Sequence, residues 1–193
     1  FRSPLLWDIS SITVYLTASS IYLYLPLIPD IARLRDCTAG MGGWRHTFYS
    51  RLAIGWTGTP AQKQRYLQPL LDGDIVSCFS MTEPQAGSDP REFRCTAVQD
   101  GDQWVINGEK YFSSHADLAE FLIAMVITDP TVPVHQGASM ILIPSDTPGV
   151  NIVRLAGLAG EPLGHGHHAY IRYENVRVPA ENILGGPGQG FTI

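Results

Sequence analysis

The sequence predicts an α+β protein in which an N-terminal helical segment is followed by an antiparallel β-domain. A helix-start pattern and a helical apolar stripe occupy residues 59–73. After Asp74 the pattern changes to short runs of β-branched and aromatic residues, which proline and glycine separate. Many short strands with frequent turns favour a small barrel or a sandwich.

Residues 1–43 differ from the rest of the chain. No charged residue occurs between residues 9 and 29, and this length is close to the roughly 20 residues that span a bilayer. Interspersed serines and threonines, together with Pro26 and Pro29, argue against a transmembrane helix. A membrane segment at residues 9–29 is therefore the less favoured interpretation, and residues 1–43 are left unassigned.

A helix is predicted to begin after Thr59. Thr59 is a good N-cap, Pro60 suits the first helical position, and Gln62 completes a capping box. Apolar residues then recur at helical spacing, at Tyr66, Leu67, Leu70 and Leu71. Gly73 can adopt the left-handed conformation that ends a helix.

The β-domain is predicted to begin with a strand over residues 75–81. Asp100-Gly101 and Asn107-Gly108 are hairpin signals on either side of residues 103–106. Prolines punctuate the region that follows. The further strand candidates are residues 121–128, 139–144, 151–155 and 168–173.

Composition and charge narrow the class of protein. The net charge is -5 and no run of lysine or arginine occurs, so we predict no nucleic-acid partner. The cysteines are odd in number and form no C-x-x-C pattern. They favour free thiols in a reducing compartment and give no support to structural zinc. These cysteines are Cys37, Cys78 and Cys95.

The histidines near residue 166 give a weaker signal. His167 and His168 lie on alternating strand faces, and no carboxylate or cysteine joins them and His165. We therefore predict no metal site and interpret them as exposed loop residues, or as contacts to substrate or a neighbouring subunit. Residues 186–190 are glycine-rich, but no βαβ unit surrounds them, which argues against a dinucleotide loop.

The loop after the first predicted strand is the most informative segment. The strand ends at Glu83-Pro84, because proline cannot donate to a ladder. Ala86, Gly87 and Ser88 then leave backbone amides uncovered. Such a loop can approach a flat or anionic ligand closely, since no large side chain stands in the way.

This loop resembles the flavin-contacting signature of the acyl-CoA dehydrogenase family. Residues 81–84 match its Met-Thr-Glu-Pro string, and residues 86–89 match its Ala-Gly-Ser-Asp string. Gln85 is the one departure, at a position where many members carry glycine. A long string of this kind is far more specific than a lone glycine motif.

The resemblance continues in order along the chain, from about Gly55 to Ile193. Residues 55–73 resemble the last helix of the family's N-terminal helical domain. The segment at residues 163–168 is similar to a His-Gly-His element in the branch related to human acyl-CoA dehydrogenase family members ten and eleven. The other matching segments are residues 104–114, 147–150 and 173–185.

The resemblance implies an antiparallel β-barrel between two helical domains, which is the family's middle domain. Residues 44–74 would then end the N-terminal helical domain, and residues 75–185 would form the flavin-binding β-barrel. Residues 186–193 would form the exit loop to a C-terminal helical domain.

The resemblance also implies FAD as the cofactor and assigns residues to it. Along the ring we expect Phe79, Met81 and Thr82. Phe112 would cover a ring face and Ser114 would offer its hydroxyl toward N5, at positions where many members have tryptophan and threonine. Gly87 and Ser88 would border both the flavin and the pantetheine arm, so Ser88 is also the predicted substrate contact. The cofactor residues are Phe79, Met81, Thr82, Gly87, Ser88, Phe112, Ser113 and Ser114.

The reaction that the family implies is α,β-dehydrogenation of an acyl-CoA thioester. A glutamate removes the α-proton while the β-hydrogen leaves as hydride to flavin N5. That glutamate belongs to the family's C-terminal helical domain and is expected beyond Ile193. We therefore predict no catalytic residue in this chain and no turnover by the chain alone. Glu83 is expected to shape the loop.

The implied partners are an acyl-CoA substrate and an electron acceptor, for which an electron-transfer flavoprotein is expected. A homo-oligomer is expected at full length, in the cytoplasm or the mitochondrial matrix. Two alternatives stay open. One keeps the fold but makes the protein a flavin oxidase or monooxygenase. The other is a β-barrel that binds FAD, CoA or a protein partner without catalysis.

Overall fold

A computed structural model provides the structure of residues 45–157 and 166–193. The unassigned segment, with its less favoured membrane interpretation at residues 9–29, lies outside these ranges, as do Cys37 and His165. Within them, no helix is long and apolar enough to cross a membrane. The longer helical elements lie first along the chain and the strands follow, with one short helix among them, which confirms the predicted α+β organisation.

The helical segment consists of α1 (Arg45–Thr57) and a second, composite helix. The composite helix contains α2 (Pro60–Gln62), a π-helical turn (Lys63–Leu67) and α3 (Gln68–Asp72). Pro69 has no N–H to donate to the preceding turn, which explains why the regular bonding is interrupted there. The Arg51 Nη2 donates to the Leu70 carbonyl at 2.7 Å and joins the two helices.

Both predicted ends of the composite helix are confirmed. The Gln62 N–H donates to Thr59 Oγ1 at 3.2 Å, and the Thr59 N–H donates to Gln62 Oε1 at 2.8 Å. Gly73 ends the helix with a φ of 82°. Gln62 Nε2 also donates to the carbonyls of Glu181 and Ile183, at 2.7 and 3.0 Å. Gln62 thus completes the capping box and also connects the composite helix to the start of the last strand.

The strands form one eight-stranded sheet with the order β6-β7-β3-β2-β4-β5-β8, and β1 pairs with β4 off this path. Two short 3₁₀ turns, Pro90–Glu92 and Ala180–Asn182, and the helix α4 (Val134–Gly137) lie between strands. The strands are β1 (Ser77–Ser80), β2 (Thr96–Asp100), β3 (Gln103–Ser114), β4 (Phe121–Ile127), β5 (Ala138–Pro144), β6 (Val150–Ala156), β7 (His168–Pro179) and β8 (Ile183–Leu184).

The sheet is mixed and, over the described residues, is not closed. The pairings of β1 with β4 and of β2 with β4 are parallel, whereas the remaining pairings are antiparallel. Strand β1 lies along the first half of β4, and Thr96 of β2 pairs with Ile127 at its far end. Both strands therefore use one edge of β4, and the loop that connects them, residues 81–95, emerges between their ends.

The predicted hairpin at Asn107-Gly108 is wrong. Both residues lie within the long strand β3, at a shift in its register with β7. Gly108 has a φ of 139°, and a Cβ there would come within 2.6 Å of the Cys95 Cα. The glycine therefore permits close approach of two backbones rather than a turn. The hairpin at Asp100-Gly101 is confirmed, because Asp100 pairs with Gln103 across it.

The core contains residues from most strands of the sheet, and β4 and β5 are buried most completely. Strand β4 is buried from Phe121 to Val126, and β5 is buried from Ala138 to Ile143. Such continuous burial explains why both segments are apolar runs without alternation. Strands β3 and β7 instead alternate, with inward residues such as Ile106, Ile171 and Val176 fully buried. Their outward faces are consequently available for a ligand or partner.

Candidate functional site

The motif loop begins with a tight turn. The Glu83 N–H donates to the Ala86 carbonyl at 2.9 Å, and the Ala86 N–H donates to the Glu83 carbonyl at 3.0 Å. Gln85, the departure from the family pattern, donates from Nε2 to Glu83 Oε2 at 2.6 Å and to the Glu92 carbonyl at 3.0 Å. The larger side chain therefore adds hydrogen bonds across the loop.

The Glu83 carboxylate holds this loop in place. Its Oε2 accepts from the Arg94 N–H at 2.7 Å, and its Oε1 accepts from the Cys95 N–H at 3.1 Å. Lys110 Nζ donates to Oε1 at 2.8 Å and to the Met81 carbonyl at 2.8 Å. These contacts fix both ends of the loop, which confirms that Glu83 shapes it.

The Glu83–Lys110 ion pair is buried. The side chains are 1% and 0% exposed, respectively. Burial lowers the pKa of Lys110, and the neighbouring Cys95 and Glu83 oppose that shift. The ammonium group also lies 4.4 Å from the centroid of the Phe93 ring. The groups that contact each charge therefore offset part of the cost of its desolvation.

A second buried network joins the strands beneath the site. Ser80 Oγ lies 2.7 Å from Ser113 Oγ, and the Tyr173 hydroxyl donates to Ser80 Oγ at 3.2 Å. Burial raises the pKa of Tyr173. Ser80 and Ser113 lie near the ends of β1 and β3, and Tyr173 lies in the middle of β7. The network therefore joins two strand ends that carry predicted flavin contacts to a neighbouring strand.

A β-bulge near the end of β3 presents Phe112 to solvent. Lys110 pairs with Ile171 and Ser113 pairs with Ala169, so Tyr111 and Phe112 together oppose a single residue of β7. Phe112 has a φ of 56° and is 54% exposed. A non-glycine residue in this region costs about 1–2 kcal/mol, and such strain is concentrated at functional sites.

The bulge is joined directly to the motif loop. The Tyr111 N–H donates to the Thr82 carbonyl at 2.7 Å. The Tyr111 ring packs against Phe112, with centroids 4.1 Å apart, and its hydroxyl accepts from Arg154 Nη2 at 2.8 Å. The ring of Phe112 is therefore supported on one side by an anchored neighbour.

Histidines border the end of β3. Ser114 Oγ lies 2.8 Å from His168 Nδ1, and the His115 N–H donates to the His167 carbonyl at 2.6 Å. Desolvation, together with the nearby His167, lowers the pKa of His115. Over the described ranges, no group of three or more His, Cys, Asp or Glu side chains could hold a metal ion.

The structure brings most of the predicted site residues near one another. Met81 and Thr82 are bonded to Lys110 and Tyr111, and Ser113 is bonded to the strand that carries Phe79. Phe79 is half-buried, with its ring centroid 6.2 Å from that of Tyr49.

Gly87 and Ser88 occupy the outer part of the loop. Both are exposed, and a Cβ added at Gly87 would meet no atom within 4 Å. The Asp89 carboxylate then accepts from the Arg91 N–H at 3.0 Å and starts the 3₁₀ turn. The open space beside Gly87 is compatible with close approach of a ligand.

Sequence reasoning assigned Lys110 and Tyr173 no role at the site. His168 was interpreted as an exposed loop residue or as a contact to substrate or a neighbouring subunit, whereas it lies half-buried at the start of β7. For Lys110 a signal existed, because it follows Trp104 and Ile106 on the inward positions of an alternating strand. A lysine at an inward position requires a buried acid as partner. No comparable local signal marks Tyr173 or His168, because their partners lie 93 and 54 residues away, respectively.

Comparison with known proteins identifies the family. The model of the acyl-CoA dehydrogenase middle domain matches residues 78–176, just over half of the chain. Acyl-CoA dehydrogenase family member 10 of Mus musculus is 45% identical over 142 residues, and member 11 of Homo sapiens is 43% identical over 141 residues. Each alignment covers 70% of this chain, but only 13% and 18% of those two relatives.

A solved structure gives the same result for the fold. The crystal structure of acyl-CoA dehydrogenase from Geobacillus kaustophilus superposes with a TM-score of 0.71 at 32% identity. The match covers 84% of this chain and 43% of that one. The mixed sheet and the hydrogen-bonded Met-Thr-Glu-Pro loop are consistent with these similarities. The chain therefore belongs to the acyl-CoA dehydrogenase family.

Proposed function

We propose that these residues form the flavin-binding β-domain of an FAD-dependent acyl-CoA dehydrogenase, which carries out α,β-dehydrogenation of an acyl-CoA thioester. The observation that supports this proposal most directly is Phe112. An aromatic ring is held 54% exposed, on a strained bulge bonded to the motif loop. Strained backbone of this kind is concentrated at functional sites, and an exposed ring on it is suited to contact a flat ligand.

The side chains around the bulge fit an isoalloxazine ring. Such a ring has apolar faces and a polar edge. Phe112 supplies an exposed apolar surface, and the hydroxyls of Thr82 and Ser114 supply polar atoms on half-buried side chains. Met81 is also half-buried, and the space at Gly87 is open.

In this proposal FAD is held by Phe79, Met81, Thr82, Gly87, Ser88, Phe112, Ser113 and Ser114, and Ser88 also contacts the acyl-CoA. Ser113 contributes through its backbone, because its hydroxyl is buried against Ser80. When bound, the flavin supplies the hydride acceptor of the reaction. The chain's part is to bind and orient it and to keep water from one face.

Glu83 does not act as the base in this proposal. A general base must reach its proton directly or through one water. The Glu83 carboxylate is 1% exposed and accepts hydrogen bonds from Lys110 Nζ and from the amides of Arg94 and Cys95. We propose that the base is a glutamate of the family's C-terminal helical domain, and that residues 1–193 alone have no turnover.

The remaining proposals concern organisation and partners. We divide the chain into an unassigned segment at residues 1–43, the end of a helical domain at 44–74, the β-domain at 75–185 and an exit loop at 186–193. We also propose an acyl-CoA substrate, an electron-transfer flavoprotein as acceptor and a homo-oligomeric whole protein, and family membership supports these proposals. The free buried thiols Cys78 and Cys95 support a reducing compartment, the cytoplasm or the mitochondrial matrix.

Flavin binding by the purified protein tests the proposal. We expect FAD fluorescence to be quenched on binding, and Phe112→Ala to weaken binding about tenfold, or about 1.4 kcal/mol. Val98→Ala is the matched control, because Val98 is an exposed apolar residue of β2, 65% accessible. It should leave the affinity unchanged. Equal affinities for wild type and Phe112→Ala, or no binding by the wild type, would refute the proposal.

A second measurement separates dehydrogenation from the oxidase or monooxygenase alternative. Adding acyl-CoA without oxygen to the FAD-loaded whole protein, which includes the C-terminal helical domain with the proposed base, should bleach the flavin absorbance if the thioester is the hydride donor. The same addition to residues 1–193 alone should leave the flavin oxidised. No bleaching by any acyl-CoA, with FAD still bound, would favour the alternatives.

A further inference from the structure

His168 and Ser114 form a pair at the predicted flavin edge of the sheet. The two residues are direct partners in the antiparallel register of β3 and β7. Residues opposite each other in such a pair share one face. Ser113, which lies between Phe112 and Ser114 in β3, is buried against Ser80. Phe112 and Ser114 therefore belong to the outward face. The rings of His168 and Phe112 meet edge to face, with centroids 6.4 Å apart.

The chemistry of the pair gives Ser114 two possible states. A hydroxyl donates one hydrogen bond and offers two lone pairs, whereas each imidazole nitrogen either donates or accepts. When Nδ1 carries no proton, it accepts the Ser114 proton, and the hydroxyl can only accept from a third group. When Nδ1 carries a proton, it donates to Ser114 Oγ, and the hydroxyl proton is free to donate elsewhere.

We propose that His168 is a positioning residue that sets the hydrogen-bond polarity of Ser114 toward the bound flavin. The inference rests on the proposed function, because it requires FAD beside Ser114. Oxidised flavin would accept a hydrogen bond at N5, whereas reduced flavin would carry N5–H there and donate one. A Ser114 hydroxyl that donates would therefore favour the oxidised flavin, and one that accepts would favour the reduced flavin. His168 thereby adjusts the relative binding of oxidised and reduced flavin without touching the substrate.

The surroundings contain other groups that titrate. His115, His167 and Asp117 follow or flank the two strand ends, and the His115 and His167 rings lie 5.1 Å apart. His167 is exposed, and its backbone carbonyl, not its ring, binds the His115 amide. It therefore provides a matched histidine control that leaves the Ser114 contact intact.

The first test needs no flavin. Long-range ¹H–¹⁵N NMR spectra of the imidazoles report which nitrogen carries the proton. Ser114→Ala should shift the Nδ1 signal of His168 and leave that of His135, on α4, unchanged. If the His168 signal does not respond, the hydrogen bond is absent and the proposal is overturned.

The second test compares the dissociation constants of oxidised and reduced FAD. His168→Leu should change their ratio about tenfold, the effect of one hydrogen bond. His168→Asn keeps a hydrogen-bonding group near the Nδ1 position and should restore the wild-type ratio. His167→Leu should leave the ratio unchanged.

The outcomes separate this inference from the proposed function. If the wild type binds FAD and all variants share one ratio, the role of His168 is overturned while flavin binding stands. If asparagine fails to restore the ratio, the effect of leucine arises from packing and the proposal is also overturned. If the wild-type protein binds no FAD, both the proposed function and the role of His168 are refuted.

Discussion

Replacing both members of the Glu83–Lys110 pair should destabilise the fold no more than replacing one. The side chains are 1% and 0% exposed, and their charged atoms lie 2.8 Å apart. Removing one partner leaves the other charge buried and uncompensated, which costs about 3–5 kcal/mol. We therefore expect Glu83→Gln and Lys110→Met each to lower the free energy of unfolding by that amount.

The double variant removes both charges, and its cost should equal that of one single variant. The coupling energy then equals the cost of one single variant, about 3–5 kcal/mol, which is at or above the upper end of values for residues in one network. Urea unfolding followed by far-UV circular dichroism supplies the four free energies of the cycle, provided that the m-values agree. If a single variant does not fold but the double variant does, the two charges are likewise shown to depend on each other.

The matched control is the exposed pair formed by Glu109 and Arg172, whose charged atoms lie 2.9 Å apart. Their side chains are 37% and 45% exposed, respectively, so solvent already screens them. The cycle through Glu109→Gln and Arg172→Met should give only a small fraction of the coupling energy. If the buried pair is additive within about 0.5 kcal/mol, the charges do not depend on each other and the reasoning is refuted.

Three further predictions concern packing and the buried thiols. Gly108→Ala should lower the free energy of unfolding by about 1–3 kcal/mol or more, because the added Cβ meets the Cys95 backbone. Gly87→Ala is the control, because Gly87 lies in open space. Its free energy of unfolding in the same urea assay should differ from that of the wild type by no more than about 0.5 kcal/mol. Burial raises the pKa values of Cys78 and Cys95 to about 12, so peptide mass spectrometry should find neither alkylated at pH 8 before unfolding. Above pH 9 the unfolded chain loses these protons while the folded chain keeps them, so each thiol lowers stability as pH rises, by at most about 1.4 kcal/mol per pH unit. Cys78→Ala should therefore show a shallower loss than wild type, and parallel curves would contradict this.

Signals carried by neighbouring residues were sufficient to predict much of this protein. The capping box at Thr59 and Gln62 and the left-handed Gly73 involve atoms a few residues apart, so local stereochemistry decides them. The motif string at residues 81–89 is equally local, and it led to the family and to the candidate flavin residues. These features could be predicted because the physical causes act within one turn or one loop.

Tertiary structure decided the features whose partners are distant in the chain. Glu83 and Lys110 are 27 residues apart, and only the pairing of the motif loop with β3 buries them together. Asn107-Gly108 carries a hairpin signal, yet the close approach of Cys95 turns it into part of a strand. Likewise, Ser114 acquires a histidine partner only because β7 lies beside β3. A local pattern contains no information about which strand becomes its neighbour, and that neighbour determines burial, charge and hydrogen bonding at the site.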